Sequence, residues 1–173
     1  MKVRAALATE APAYTEFARE VFISTYAANN SPSLLAQHLE RAFSVAQQQA
    51  DLLDPARTTL VLEAPDTGWA GFAVLRTHQA PAVVPGGNPV ELERLYVGGA
   101  WQGRGAGHQL MAACIERAEA NGHDALWLGV WTENRRARRF YQNEGFIEVG
   151  RHQFDFGGEL QDDVLMARTI ISR

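Results

Sequence analysis

The chain has 173 residues, 46% hydrophobic and 21% charged, with a net charge of -4. That length accommodates one well-buried core and is short for two, so one domain over residues 1–173 is expected. The composition excludes a disordered chain, and the negative charge argues against a nucleic-acid surface and for small-molecule partners.

The single cysteine, Cys114, cannot close an internal disulfide and reads as a core residue in a reducing compartment. No apolar run approaches the roughly 20 residues of a membrane span, and the N-terminus lacks a signal-peptide core. A cytoplasmic protein without a membrane partner is expected; a monomer and a homodimer both fit the sequence.

In chain order, Val3 to Ala8 reads as a first strand. Thr9 and Pro12 open a helix whose buried face carries Ala13, Phe17, Val21 and Phe22, with Tyr26 near its end. The turn Asn29-Asn30-Ser31-Pro32 caps a second, long helix that buries Leu35, Leu39, Ala42 and Phe43 and runs to about Leu53. Thr58 to Ala64 and Trp69 to Thr77 are two strands joined by the turn Pro65-Asp66-Thr67-Gly68. His78 to Asn88, rich in proline and glycine, reads as a mobile loop.

Val90 to Ala120 changes character twice. Apolar residues stand at Val90, Leu92, Leu95 and Val97, so the step of two is broken once by a step of three. One extra residue near Glu93 and Arg94 is the mark of a β-bulge, which bends the strand away from its neighbour. Backbone groups of Leu95, Tyr96 and Val97 then lack a ladder partner and must find another.

Next, Gln102, Gly103, Arg104, Gly105, Ala106, Gly107 and His108 form a glycine-rich turn into a helix whose apolar face is Ala106, Leu110, Met111, Cys114, Ile115 and Ala118. Backbone N–H groups at such a helix start form an anion site, and glycines let a ligand approach the backbone. A nucleotide P-loop would need a lysine here, and the only lysine is Lys2. A dinucleotide fingerprint would need glycine where His108 stands. A third pattern, Gln or Arg, two residues, Gly, one residue, Gly or Ala, is met by Gln102, Gly105 and Gly107.

Asn121-Gly122 stops that helix. From Leu126 to Trp131 apolar residues alternate between two environments, as in a strand, and from Asn134 Ala137, Phe140 and Tyr141 fall at helical spacing until Gly145. Phe146 to Phe154 and Asp163 to Thr169 are two last strands around a Gly157-Gly158 turn. The order βααβββαβαββ predicts an α/β sandwich on a mixed sheet.

The Gln102–Gly107 loop, followed by Asn134, Ala137, Phe140, Tyr141, Gly145 and Phe146, resembles the GNAT superfamily of acyl-CoA-dependent N-acetyltransferases. The resemblance runs along the full chain. It implies one N-acetyltransferase domain with a mixed central sheet of about seven strands, a bulged and splayed fourth strand, and helices on both faces. It further implies acetyl-CoA as co-substrate, held by Leu95, Tyr96, Val97, the loop residues 102–108, Asn134 and Tyr141. Gly99, where the superfamily often has proline, and Trp101 depart from the pattern. Asn30-Ser31-Pro32, the run 127–131, Gln161-Asp162-Asp163 and Met166-Ala167-Arg168 resemble bacterial polyamine N-acetyltransferases acting on spermidine and spermine.

Such a reaction sets chemical requirements. An alkyl ammonium, with a pKa near 10.4, must lose a proton before it attacks a thioester. Glu91 and Glu93 share a strand face beside the bulge and are candidate bases, with Glu93 nearer; the alternative is that both are solvated strand charges. Unpaired N–H groups at residues 95–97 would stabilise the oxyanion. Tyr141 matches the superfamily's acid for the leaving thiolate, the alternative being a packed aromatic. Arg135, Arg136, Arg138 and Arg139 read as a solvated basic face with Glu133 and Glu144 as partners, from which one side chain reaches a coenzyme phosphate. The five histidines have no metal-ligand spacing, so no metal is expected. A small primary amine is the favoured acceptor; a protein or peptide acetyltransferase, or an inactive acyl-CoA-binding module, are the alternatives.

Overall fold

The computed structural model describes residues 1–65, 68–156 and 159–170. Its strands are β1 (Lys2–Ala5), β2 (Arg57–Ala64), β3 (Gly68–Arg76), β4 (Pro89–Val97), β5 (Ala125–Trp131), β6 (Ile147–Phe156) and β7 (Glu159–Thr169). The helices are α1 (Ala11–Tyr26), α2 (Pro32–Ala42), α3 (Val45–Leu53), α4 (Ala106–Ala120) and α5 (Arg135–Asn143). The strands form one sheet in the order β1-β2-β3-β4-β5-β7-β6, in which, among the described residues, only β4 and β5 pair in parallel. This is the α/β sandwich on a mixed seven-stranded sheet expected from the sequence.

The two faces of the sheet carry separate cores. Leu60, Leu62, Leu92, Leu126, Leu128 and Val164 pack against Leu110, Met111 and Cys114 of α4 and Tyr141 of α5. Burial pushes the Cys114 thiol up to about 12, so it is an inert core group. Val61, Phe72 and Val74 point the other way, against Tyr14, Ala18 and Phe22 of α1 and Leu35 and Leu39 of α2.

Several boundaries differ from the sequence expectation. The first strand ends at Ala5 rather than Ala8, because Glu10 accepts from Leu7 N at 2.8 Å and pairs with Arg4 at 2.7 Å, turning the chain into a short 3-10 segment before α1. Ala13 is exposed, and Tyr14 and Ala18 fill the face assigned to it. The expected long second helix is two. Phe43 leaves helical geometry at φ -131°, and the Ser44 hydroxyl accepts from Gln47 N at 3.2 Å as the cap of α3.

The loop 78–88 is anchored rather than free along its length. Val84 is buried, and the Asp124 carboxylate accepts from Gly87 N at 2.6 Å and Asn88 N at 3.0 Å. The final hairpin strands are longer than expected at their facing ends. Two expected turns, at Asp66-Thr67 and Gly157-Gly158, lie outside the described residues.

The bulge is where the apolar spacing places it. β3 pairs Val74 with Arg94 and then Leu75 with Leu92, so Glu93 is the extra residue. After it, Leu95, Tyr96 and Val97 stay paired to β3; the neighbour they leave is β5, whose ladder with β4 covers Pro89, Val90 and Glu91. Gly98 N donates to Ala70 O at 2.9 Å, so by antiparallel alternation Leu95 and Val97 turn their N–H and C=O groups toward the β5 side. The two parallel strands therefore open like a V.

Candidate active site

A cleft of about 790 Å³ occupies that V. Its β4 wall is Leu92 to Val97, its β5 wall is Gly129, Val130 and Trp131, and α5 contributes Asn134 as its cap together with Ala137, Phe140 and Tyr141.

One end of the cleft is the glycine loop. Gln102, Gly103, Gly105, Gly107 and His108 line it, whereas Arg104 and Ala106 do not. Arg104 instead lies over the Trp101 ring at 5.9 Å, and Ala106 is buried as the first residue of α4. Gly103 (φ 73°) and Gly105 (φ 81°) are left-handed, a conformation that side chains disfavour. A β-carbon at either would meet nothing within 4 Å, so the backbone faces open space. The first-turn N–H groups of α4, beginning at its cap Gly105, have no intrahelical acceptor by helix geometry and lie at this end. The residues present fit a phosphate group here.

Two side chains brace the loop. Gln102 Nε2 donates to Val97 O at 3.1 Å, and Arg136 donates to Gln102 Oε1 at 2.8 Å. Of the basic run on α5, Arg136 is the member on the cleft. Arg138 pairs with Glu148 at 2.5 Å, and Glu144 pairs with His108 rather than with an arginine. The Asn134 carboxamide caps α5, accepting from Ala137 N at 3.1 Å.

At mid-cleft, Tyr141 is buried, and burial lifts its hydroxyl further above the ordinary tyrosine range, the buried Tyr26 and Cys114 adding to the effect. It stays protonated at neutral pH and is able to give a proton. Across the opening, the Tyr96 hydroxyl donates to the Tyr26 hydroxyl at 3.5 Å.

The carboxylates expected as bases sit differently. Glu93 borders the cleft, but its carboxylate is paired with Arg57 and lies 3.6 Å from Arg76. Arg57 in turn lies 3.6 Å from Asp51 and 3.4 Å from Asp54, so Glu93 belongs to a charge cluster with the end of α3. Glu91 is off the cleft, 2.7 Å from His78. Burial raises its pKa and His78 opposes the rise.

The far end of the cleft combines Phe22, Tyr26 and His38 with Asp155, Gln161 and Asp163. In the sequence Asp163 stands out only as the start of the last expected strand and as part of the stretch that resembles polyamine N-acetyltransferases. Nothing in the spacing of β7 marks it as a site residue, because its neighbours come from β5, β6 and α1. Among the described residues no cluster of three or more His, Cys, Asp or Glu is placed to hold a metal ion, and no helix is long and apolar enough to cross a membrane.

Comparison with known proteins bears on the family and the fold. Residues 16–146 match the model of the acetyltransferase (GNAT) family. An uncharacterized N-acetyltransferase in the pepI 3' region of Lactobacillus delbrueckii subsp. lactis is 29% identical over 92% of both chains. An uncharacterized N-acetyltransferase of Mycobacterium tuberculosis is 30% identical over 82% of this chain and 85% of its own. The paiA N-acetyltransferase of Thermoplasma acidophilum, solved with coenzyme A, shares the fold with a TM-score of 0.78 at 20% identity, covering 97% of this chain and 98% of that one. So does yncA of Salmonella typhimurium, solved with its cofactor acetyl-CoA, at TM-score 0.68 and 21% identity over 100% and 95%.

Proposed function

The chain belongs to the GNAT acetyltransferase family, and from that premise we propose that it moves the acetyl group of acetyl-CoA to a primary amino group of a small polyvalent amine such as spermidine or spermine. The acetyl-CoA-dependent N-acetyltransferase activity comes with the family; the acceptor is our reading. The observation that carries it is the composition of the far chamber, where the aromatic rings of Phe22, Tyr26 and Tyr96 stand with the carboxylates of Asp155 and Asp163. Aromatic faces and carboxylates are the groups that hold alkylammonium ions. Asp155 lies 3.9 Å from Arg41 at the exposed rim, while Asp163 is buried deeper.

The division of labour follows the cleft. Acetyl-CoA would be held through its phosphates by the first turn of α4 and Arg136, and through its pantetheine arm by the open edge of β4 and Asn134. When bound it supplies the thioester. Leu95 and Val97 N–H, turned toward the β5 side, are available to a carbonyl oxygen in the V. Tyr141 holds the proton that the departing thiolate needs.

Free-thiol release from acetyl-CoA over a panel of amines and peptides tests the acceptor. Spermidine and spermine should outrun a simple monoamine and any peptide, and their advantage should shrink as ionic strength rises, since charge steering is screened. Equal rates with a monoamine would defeat the polyamine reading, and a preference for peptides would replace the small-molecule reading.

A further inference from the structure

The V needs a proton acceptor on the amine's side, and the carboxylates lining it among the described residues are Glu93, Asp155 and Asp163. Glu93 is engaged by Arg57 and Arg76, so protonating it would break those pairs. Asp155 is out at the rim beside Arg41, with just over half its side chain exposed. Asp163 differs from both. Its side chain is 12% exposed, it stands on β7 in register with Trp131 of β5 and His152 of β6, and its Oδ2 lies 3.8 Å from His152 Nε2.

The wall between this pair and the β4–β5 opening is Gly129. A β-carbon there would stand 3.2 Å from Asp163 Oδ2 and 3.1 Å from His152 Nε2, tighter than side chains ordinarily sit. Glycine at this one position of β5 leaves the carboxylate facing the cleft at the level where the strands part. That is where an amine must stand to reach a thioester lying in the V.

Building on the acceptor reading above, we infer that Asp163 is the group that binds the reacting ammonium and takes its proton, with His152 as the positioning residue that passes the proton to water. The protons balance. The ammonium gives one proton to the Asp163 carboxylate, and the freed nitrogen forms a bond to the acetyl carbon as the carbon–sulfur bond breaks. The nitrogen's second proton replaces the one that Tyr141 delivers to the sulfur. Ammonium plus thioester thus becomes amide plus thiol, with one proton passed from Asp163 to solvent through His152, whose side chain is 39% exposed.

The electrostatics of the pair agree with that role. Burial lifts the Asp163 carboxyl to about 6 and the neighbouring His152 opposes the lift. The other groups that face it are Asp162 on its own strand, which adds to the rise, and Tyr26 from α1; β5 presents Gly129, without a side chain. At about 6, Asp163 is a stronger base than an ordinary carboxylate yet still charged at neutral pH, as binding an ammonium requires.

The test is the pH profile of kcat/KM for spermidine. With Asp163 as base, the reactive pair is ammonium and carboxylate, so the wild-type profile should rise with unit slope to near pH 6 and then level off. In Asp163→Asn only the neutral amine can react. The rate at pH 7 should fall roughly 100-fold to 10,000-fold, and the profile should climb without levelling toward the amine's own pKa of about 10.4. Thermal stabilisation by acetyl-CoA should persist, showing that the fold and coenzyme end are intact. His152→Gln, at a half-exposed position, removes the residue that opposes the rise and should move the acid limb to higher pH. An Asp163→Asn profile that still levels near pH 6 at wild-type rate, or a limb unmoved in both variants, overturns the assignment. A wild-type protein that acetylates no amine overturns the acceptor reading itself, and this assignment with it.

Discussion

Arg136 of α5 donates to Gln102 Oε1 at 2.8 Å, so a residue of the second motif braces the loop of the first. Two stretches 34 residues apart in sequence are thereby joined at the end of the cleft that fits a phosphate. Arg136→Gln should weaken acetyl-CoA binding about tenfold, or roughly 1.4 kcal/mol, through loss of both the brace and a positive charge. Turnover at saturating acetyl-CoA should hardly change, because the side chain is remote from the thioester. Calorimetric titration of acetyl-CoA checks the first part; an unchanged affinity would remove Arg136 from the site.

Tyr141 offers a cleaner separation of binding from chemistry. Its ring contacts Phe140 and Phe146 at centroid distances of 5.3 and 5.7 Å, and those contacts survive in phenylalanine. Tyr141→Phe should keep acetyl-CoA affinity while lowering kcat by roughly tenfold to a thousandfold, the usual loss on removing a general acid. Wild-type turnover in this variant would mean that water protonates the thiolate.

Glu93 should behave as a structural residue. Glu93→Gln removes the charge shared by Arg57 and Arg76, but Asp51 and Asp54 stay within 3.6 Å of Arg57 and offset part of the loss. The expected cost is about 1–2 kcal/mol in denaturant unfolding, below the range for an uncompensated buried pair. kcat should stay within about threefold, since losing a general base typically costs a hundredfold or more. A hundredfold loss of kcat at unchanged stability would return Glu93 to the role its sequence position first implied.

The engagement of Glu93 by Arg57 and Arg76 marks how far the sequence could be read. The bulge was legible because inserting one residue breaks a period of two, and the glycine loop because its geometry depends on local backbone. The break between α2 and α3 was not, since Leu35, Leu39, Ala42 and Phe43 keep helical spacing up to the residue that Ser44 interrupts. The pairing of Glu93 with Arg57 and of Asp163 with His152 depends on strand register, which no short window of sequence contains. The glycine-loop end of the cleft was therefore legible from motifs, while the surroundings of Asp163 emerged only with the sheet assembled.

His38 makes the far end of the cleft sensitive to acid. It is buried on α2 with its ring stacked on Phe22 at 4.9 Å, and burial, with Arg41 and Arg94 adding to it, lowers its pKa to about 4. The unfolded chain takes up the proton first, near pH 6.5, so folding stability should be fully present above that pH. It should fall as pH drops toward about 4, below which both states are protonated and the loss stops growing. Asp163 acts in the opposite sense. Its folded pKa of about 6 lies above the unfolded value, so its penalty is relieved as pH falls through the same window and partly masks the loss from His38. His38→Gln should expose the difference, because it keeps a polar group in place but cannot titrate. Denaturant unfolding from pH 7.5 to 4 should show the wild-type protein losing about 1–3 kcal/mol more than the variant over that range. Parallel curves for the two proteins would show that the His38 ring is not held neutral by its surroundings.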